Sequence, residues 1–264
     1  MIAALLGVVI GIVMGLTGAG GGILAVPALV FALGWTIPQA APVALLAVAG
    51  AASLGAVDGL RRRLVRYRAA LFIGAVGAAV APLGLKVASV APERLLLAVF
   101  AVAMVLVSGK MFLGARSTIE PGDGNPPLCE LDPATGRLHW TSASAAALGA
   151  IGAAAGFLTG LLGVGGGFLI VPALRRFSDI SMPGIVATSL AVIAIVSMGS
   201  VIGAWLQGRD LSIAVAAPFA AGAAIGMVAG RIGARSLSPL LLQRIFAGVT
   251  ATVAIGLIAR AVYR

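Results

Sequence analysis

Residues 15–29 read Gly-Leu-Thr-Gly-Ala-Gly-Gly-Gly-Ile-Leu-Ala-Val-Pro-Ala-Leu, and residues 160–174 read Gly-Leu-Leu-Gly-Val-Gly-Gly-Gly-Phe-Leu-Ile-Val-Pro-Ala-Leu. At a constant offset of 145 residues, 11 of the 15 positions are identical. The chemistry on offer is that of the main chain. Gly20, Gly21 and Gly22, with Gly18 ahead of them, recur as Gly165, Gly166 and Gly167 with Gly163 ahead. Lacking Cβ atoms, these residues let a helix stop and turn. In an apolar medium the freed N–H groups need protein, water or a ligand to satisfy them. The helix that restarts after each glycine run aims its first N–H groups and its positive dipole end back at the break. That is an anion site made of backbone. Two interrupted apolar segments at matching places in two halves point to a transporter's binding site.

Few side chains stand ready to add to it. Thr17 lies inside the first motif and Thr159 just ahead of the second. Thr188 and Ser189 fall in the helix after the second motif, where the first half has Val43 and Ala44. This adjacent pair is expected to face the anion. Ser53, Ser197 and Ser200 are expected to bond their own helices, as membrane hydroxyls commonly do. The expected binding set is therefore Thr17, Gly18, Gly20, Gly21, Gly22, Gly163, Gly165, Gly166, Gly167, Thr188 and Ser189. Outside residues 115–143 the acids are Asp58, Glu93, Asp179 and Asp210, each near a predicted helix end. No mid-span carboxylate marks a proton or cation path. Asp58 reads as an ion-pair partner of the neighbouring arginines, and Lys86, Lys110 and Arg231 as snorkelling cations. The only histidine and the only cysteine, His139 and Cys129, lie outside the spans, so an enzyme would lack a base, nucleophile or metal set there. Cys129, Asp132 and His139 match no metal-ligand spacing. No catalytic residue, metal or cofactor is expected.

The elements that must hold these residues are membrane helices. Of 264 residues, 61% are hydrophobic and 10% charged, against about 25% charged in soluble domains. Residues 43–60, 69–90, 95–113 and 211–232 each approach the roughly 20 apolar residues that span a bilayer. The formal charge of +10 is not read as a nucleic-acid signature, because five basic residues cluster at 61–68 between two spans, as in a cytoplasmic loop. The expected organisation is a first membrane repeat (1–114), a charged cytoplasmic linker (115–143) and a second membrane repeat (144–264). Each repeat has a glycine-broken helical hairpin followed by three transmembrane helices. With each first pair as a hairpin, the two repeats are inverted and 13 of the 18 Lys and Arg fall on the cytoplasmic side; with each pair as a single bent span the split is 11 to 7, so the positive-inside rule favours the hairpins. The fold class expected is all-α integral membrane, multi-pass in the cell inner (plasma) membrane, in contact with lipid and a small anionic substrate but not nucleic acid.

At the doubled Gly-Leu-x-Gly-x-Gly-Gly-Gly-x-Leu-x-Val-Pro-Ala-Leu motif, and at Ala187, Thr188, Ser189 and Leu190, the chain resembles the TauE/SafE sulfite exporter family, also called the toluene sulfonate uptake permease family. The resemblance covers essentially the whole chain. It implies a transporter of sulfur-containing or organic anions such as sulfite, sulfoacetate and other sulfonates, coupled to an ion gradient. The first half departs from the second with Pro42, Val43, Ala44 and Leu45, so the site is not fully symmetric. The anion would sit between the two breaks, and rocking of one half against the other would give alternating access. An anion channel or a non-transporting membrane subunit are the other readings the residues allow.

Overall fold

The computed structural model describes residues 1–18, 20–114, 141–178, 180–208, 212–234 and 239–263. Among these it is all helical. Helix α1 (Ile2–Thr17) ends at Gly18, and a 3₁₀ turn (Gly21–Leu24) leads into α2 (Ala25–Leu33). Then come α3 (Ile37–Arg61), α4 (Tyr67–Val90) and α5 (Glu93–Gly114). The second half repeats the series as α6 (Ser142–Leu162), α7 (Gly167–Phe177), α8 (Met182–Leu206), α9 (Ile213–Gly233) and α10 (Pro239–Tyr263). Among the described residues, six helices are long and apolar enough to cross a membrane: α3, α4, α6, α8, α9 and residues 244–261 of α10. Helix α1, at 16 residues, spans only about 24 Å at ~1.5 Å per residue, short of a hydrocarbon core of roughly 30 Å. Large apolar side chains such as Leu71, Val102, Leu106 and Ile225 are exposed along the spans, as lipid-facing residues are. The expected linker, and with it Cys129, Asp132 and His139, lies outside the described residues apart from its last turn, where Thr141 caps α6 by accepting the Ser144 N–H.

Several boundaries differ from the sequence-based expectation for local reasons. Helix α3 starts at Ile37 because Thr36 and Gln39 form a capping box and Pro38 fits the first turn. The first break is shorter than expected, since Gly21 and Gly22 already belong to the 3₁₀ turn.

The halves interlock rather than stand side by side. Helix α1 packs along α9, and its counterpart α6 packs along α4. Both seams are glycine seams. A Cβ at Gly7, Gly11 or Gly15 would run into the carbonyls of Phe219, Ala223 or Met227, and one at Gly152, Gly156 or Gly160 into those of Ile73, Gly77 or Ala81. Small residues one turn apart let backbones meet in this way. The contacts also fix direction. Partners rise together along both seams, so α1 runs parallel to α9 and α6 parallel to α4. Gly55 and Asp58 of α3 meet Met227 and Arg231 of α9, so α3 joins the first set. Gly74 meets Ile195 and Gly203 meets Pro82, so α8 joins the second. The trios α1–α3–α9 and α4–α6–α8 meet along α3 and α8, which are buried over most of their length. There Gly55 lies on Leu190 and Gly59 on Ala187, so α3 and α8 run in opposite directions. Helix α5 pairs with α10, where the Ser108 hydroxyl donates to the Ala247 carbonyl at 2.9 Å. Because α1 and α3 point the same way, the segment between them must bring the chain back, and the same holds between α6 and α8.

The turns after α3 and α8 match as well. Arg63 has φ 57° and Gly208, 145 positions on, φ 70°. Arg63 is the one non-glycine residue with positive φ among the described residues.

Candidate functional site

Both breaks begin alike. Gly18 and Gly163 take φ 77° and 73°, which favours glycine. They then diverge. The first break closes at once: Gly21 backs onto the main chain of Val13 and Met14, and the 3₁₀ turn carries on into α2. The second stays open through Gly165 (φ 76°) and Gly166 (φ 68°), and α7 starts only at Gly167. The N–H of Gly163 donates to the Thr159 carbonyl at 2.8 Å. None of the five N–H groups of residues 164–168 has an acceptor among the described residues. Residues 164–167 are buried and Phe168 is half-buried, so four of these five donors sit on buried residues without a partner, a costly state for backbone.

The fold brings the two breaks together. A Cβ on Gly22 would stand 3.1 Å from the Val164 carbonyl, and one on Gly163 would collide with Ala41 and Val26. Val48 of α3 lies against both Gly22 and Gly165. From the other side, Ile193 and Ser197 of α8 close on Gly165. Gly20 sits under the Phe246 ring.

The hydroxyls sort themselves by partner. Thr17, Ser53, Thr159 and Ser200 donate to carbonyls four residues earlier, at 2.6–2.8 Å. Thr188 is fully buried, but its Oγ1 accepts the Arg66 N–H at 3.0 Å, pinning the head of α4 to α8. Ser189 and Ser197 are equally buried, and neither hydroxyl has a partner. Ser197 thus departs from the expectation that it bonds its own helix.

In front of the first break is a cavity of about 660 Å³. Thr17 and Gly18 form part of its wall, Val186 and Leu190 of α8 another part, and its charged residues are Asp58, Arg62 and Arg231. Asp58 is paired as expected: its carboxylate holds Arg62 Nε at 3.1 Å and Arg231 at 3.2 Å. Arg231 does not snorkel away. It turns inward and also donates to the Gly55 carbonyl at 2.8 Å, since a guanidinium can brace a carboxylate and a carbonyl at once. Two cations against one acid leave this mouth positive. The sequence alone missed this network; the signal was Asp58 and Arg231 each standing one turn before the end of a span.

At the opposite end the equivalent positions are apolar. The offset of 145 puts Gly203 where Asp58 stands, and the glycine seams, which match α4 to α9 at an offset of 146, put Leu85 where Arg231 stands, with Lys86 exposed beside it. Leu85 is fully buried and lies near Gly203. One end of the paired breaks is thus open and charged, and at the other Leu85 and Pro82 pack against Gly203.

Comparison with known proteins agrees with this architecture. The family described as "Sulfite exporter TauE/SafE" matches residues 3–257. The chain is 33% identical over 261 residues to a "Probable membrane transporter protein" of Xylella fastidiosa strain Temecula1, covering 96% of this chain and 93% of that one. It is 32% identical over 258 residues to a protein of the same description from strain 9a5c, with the same coverage. No solved structure matches. With its interrupted, interlocked membrane helices and a match over nearly its whole length, the chain belongs to the sulfite exporter TauE/SafE family of membrane transporters.

Proposed function

We propose that the protein carries a small oxyanion, sulfite or a sulfonate, across the cell inner membrane by alternating access, with the anion bound where the two glycine breaks meet. The run of unpaired N–H groups at residues 164–168, on residues that are buried as far as Gly167, carries this reading. Backbone donors at a helix start bind anions without a buried cation. The name of the matching family supports sulfur as the anion's centre. Glycines of the first break, Gly18 and Gly20–Gly22, complete the enclosure, Thr17 guards its entrance, and Ser189 lies further along the α8 wall. Thr188 contributes by holding α4 against α8 rather than by touching the anion.

The opposite directions of α3 and α8 support an inverted arrangement of the repeats, 1–114 and 144–264. They also change the expected motion. The bodies that rock are the trios α1–α3–α9 and α4–α6–α8, each drawn from both halves, because the glycine seams tie helices across halves. The positive mouth lies beside the basic loop at residues 61–68, so the conformation is open to the cytoplasm.

The test is anion flux into liposomes holding wild type or the double variant Gly21→Leu, Gly166→Leu. Saturable sulfite or methanesulfonate flux is expected for wild type and none above background for a folded variant. Equal flux in both would overturn the site, and unitary currents in planar bilayers would make the protein a channel.

A further inference from the structure

The two breaks are alike in sequence, and both leave main-chain N–H groups without an acceptor among the described residues, those of Gly18, Gly20, Gly21 and Gly22 at the first; they differ in the side chains beside them. Around the second, two kinds of donor lack partners. One is the row of N–H groups at residues 164–168, the last two being the first turn of α7 (Gly167–Phe177). The other is the Ser197 hydroxyl, on a residue with no solvent exposure, whose Oγ lies 3.2 Å from where a Gly165 Cβ would stand. A buried hydroxyl without a partner costs free energy and calls for an explanation. Serine in a membrane helix has an easy remedy, its own carbonyl four residues back, and Ser200 takes it. Ser197 does not. At the equivalent place beside the first break the chain has Ala52, so that side offers no hydroxyl.

We infer that Ser197 is a substrate-binding residue that donates its hydroxyl to the anion at the second break, alongside the N–H groups of residues 164–168, so that a side-chain donor is supplied from this side of the site only. The inference rests on the anion-transport reading above and narrows it. The first break closes the site from the other side with main chain alone, Gly22 being backed onto the Val164 carbonyl. Ser189, also buried and unpartnered, lies two turns before Ser197 on the same face of α8, with Ile193 between them. The positive mouth is bounded by Val186 and Leu190 of that helix. This stripe leads from the charged cavity to Gly165. The ligand class is a small oxyanion with several acceptor oxygens, since each donor needs its own lone pair.

The test uses the full chain in detergent, with sulfite, methanesulfonate and acetate titrated singly, and follows affinity and melting temperature together. Ser197→Ala is expected to weaken the best-bound anion about tenfold to hundredfold, the range for one hydrogen bond to a charged group. Its melting temperature without anion should equal or exceed that of wild type, because an unpaired buried hydroxyl is gone, while the anion-induced rise shrinks. Ser200→Ala should keep wild-type affinity. Wild-type affinity in Ser197→Ala would overturn the inference while leaving anion transport standing. So would a lower anion-free melting temperature with unchanged affinity, which marks a structural serine. Failure of wild type to bind any of the three anions would overturn the transport reading and this inference together.

Discussion

At the scale of single residues, the division is between groups that have found partners and groups that have not. Thr17, Thr159 and Ser200 return their hydroxyls to their own helices and are unavailable as donors without a rotation. Arg231 is the opposite of a free cation, since it ties α9 to α3 through Gly55 and Asp58. Its side chain is 29% exposed, so the brace is worth about 1 kcal/mol or less rather than a buried-pair value. Arg231→Gln is expected to lower the melting temperature by a few degrees and to cut the rate of flux at low anion concentration, with a weaker salt dependence because the mouth loses its surplus charge. Liposome flux at two ionic strengths measures both. Arg231→Lys should recover the charge effect but not the brace, because an ammonium lacks the guanidinium fork. Arg260, near the far end of α10, makes a similar tie by donating to the Val30 carbonyl at 2.8 Å, which caps the return helix α2. A cation at a helix C-terminus is favoured by the dipole as well.

At the scale of elements, the glycine seams set what can be changed. Gly11 is the middle residue of its seam, and a methyl there would strike the Ala223 carbonyl. Gly11→Ala is expected to cost more than about 2 kcal/mol, because two backbones must separate over the whole seam. Gly248→Ala, with nothing within 4 Å of the added methyl, should be neutral or slightly stabilising through helix propensity. Thermal unfolding in detergent separates the two. The spans, the duplicated breaks and the pairing of Asp58 could be read from the residue order, because apolar length and glycine runs are local signals. The partners of α1 and α6 could not. Glycines at four-residue spacing say that a backbone will come close but not which one, and here it comes from the other half. The inward turn of Arg231 was hidden for a related reason: its acceptor, the Gly55 carbonyl, is 176 positions away. Ser197 was misjudged because sequence cannot say which hydroxyls bond their own helix.

At the scale of the whole molecule, two oppositely directed trios meet along α3 and α8 with unequal ends. In a chain whose only cysteine is replaced by Cys129→Ser, a probe at Thr17→Cys should react quickly with a water-soluble maleimide, and one at Leu85→Cys slowly. If the trios rock, saturating anion should narrow the difference; unchanged rates would mean a fixed structure. In the proposed rocking motion, the connections between the trios are where the chain must bend. The chain passes from one trio to the other just after α3 and just after α8, and at each place one residue sits in the left-handed region, Arg63 and Gly208. Glycine takes that shape without strain, whereas an arginine pays about 1 kcal/mol or more. The two turns therefore match in form but not in ease: Gly208 takes its shape freely, whereas Arg63 is wound like a spring within the basic loop at residues 61–68. Arg63→Gly should relax it and raise the melting temperature in detergent, and, under the proposed rocking of the trios, change the rate of anion flux into liposomes.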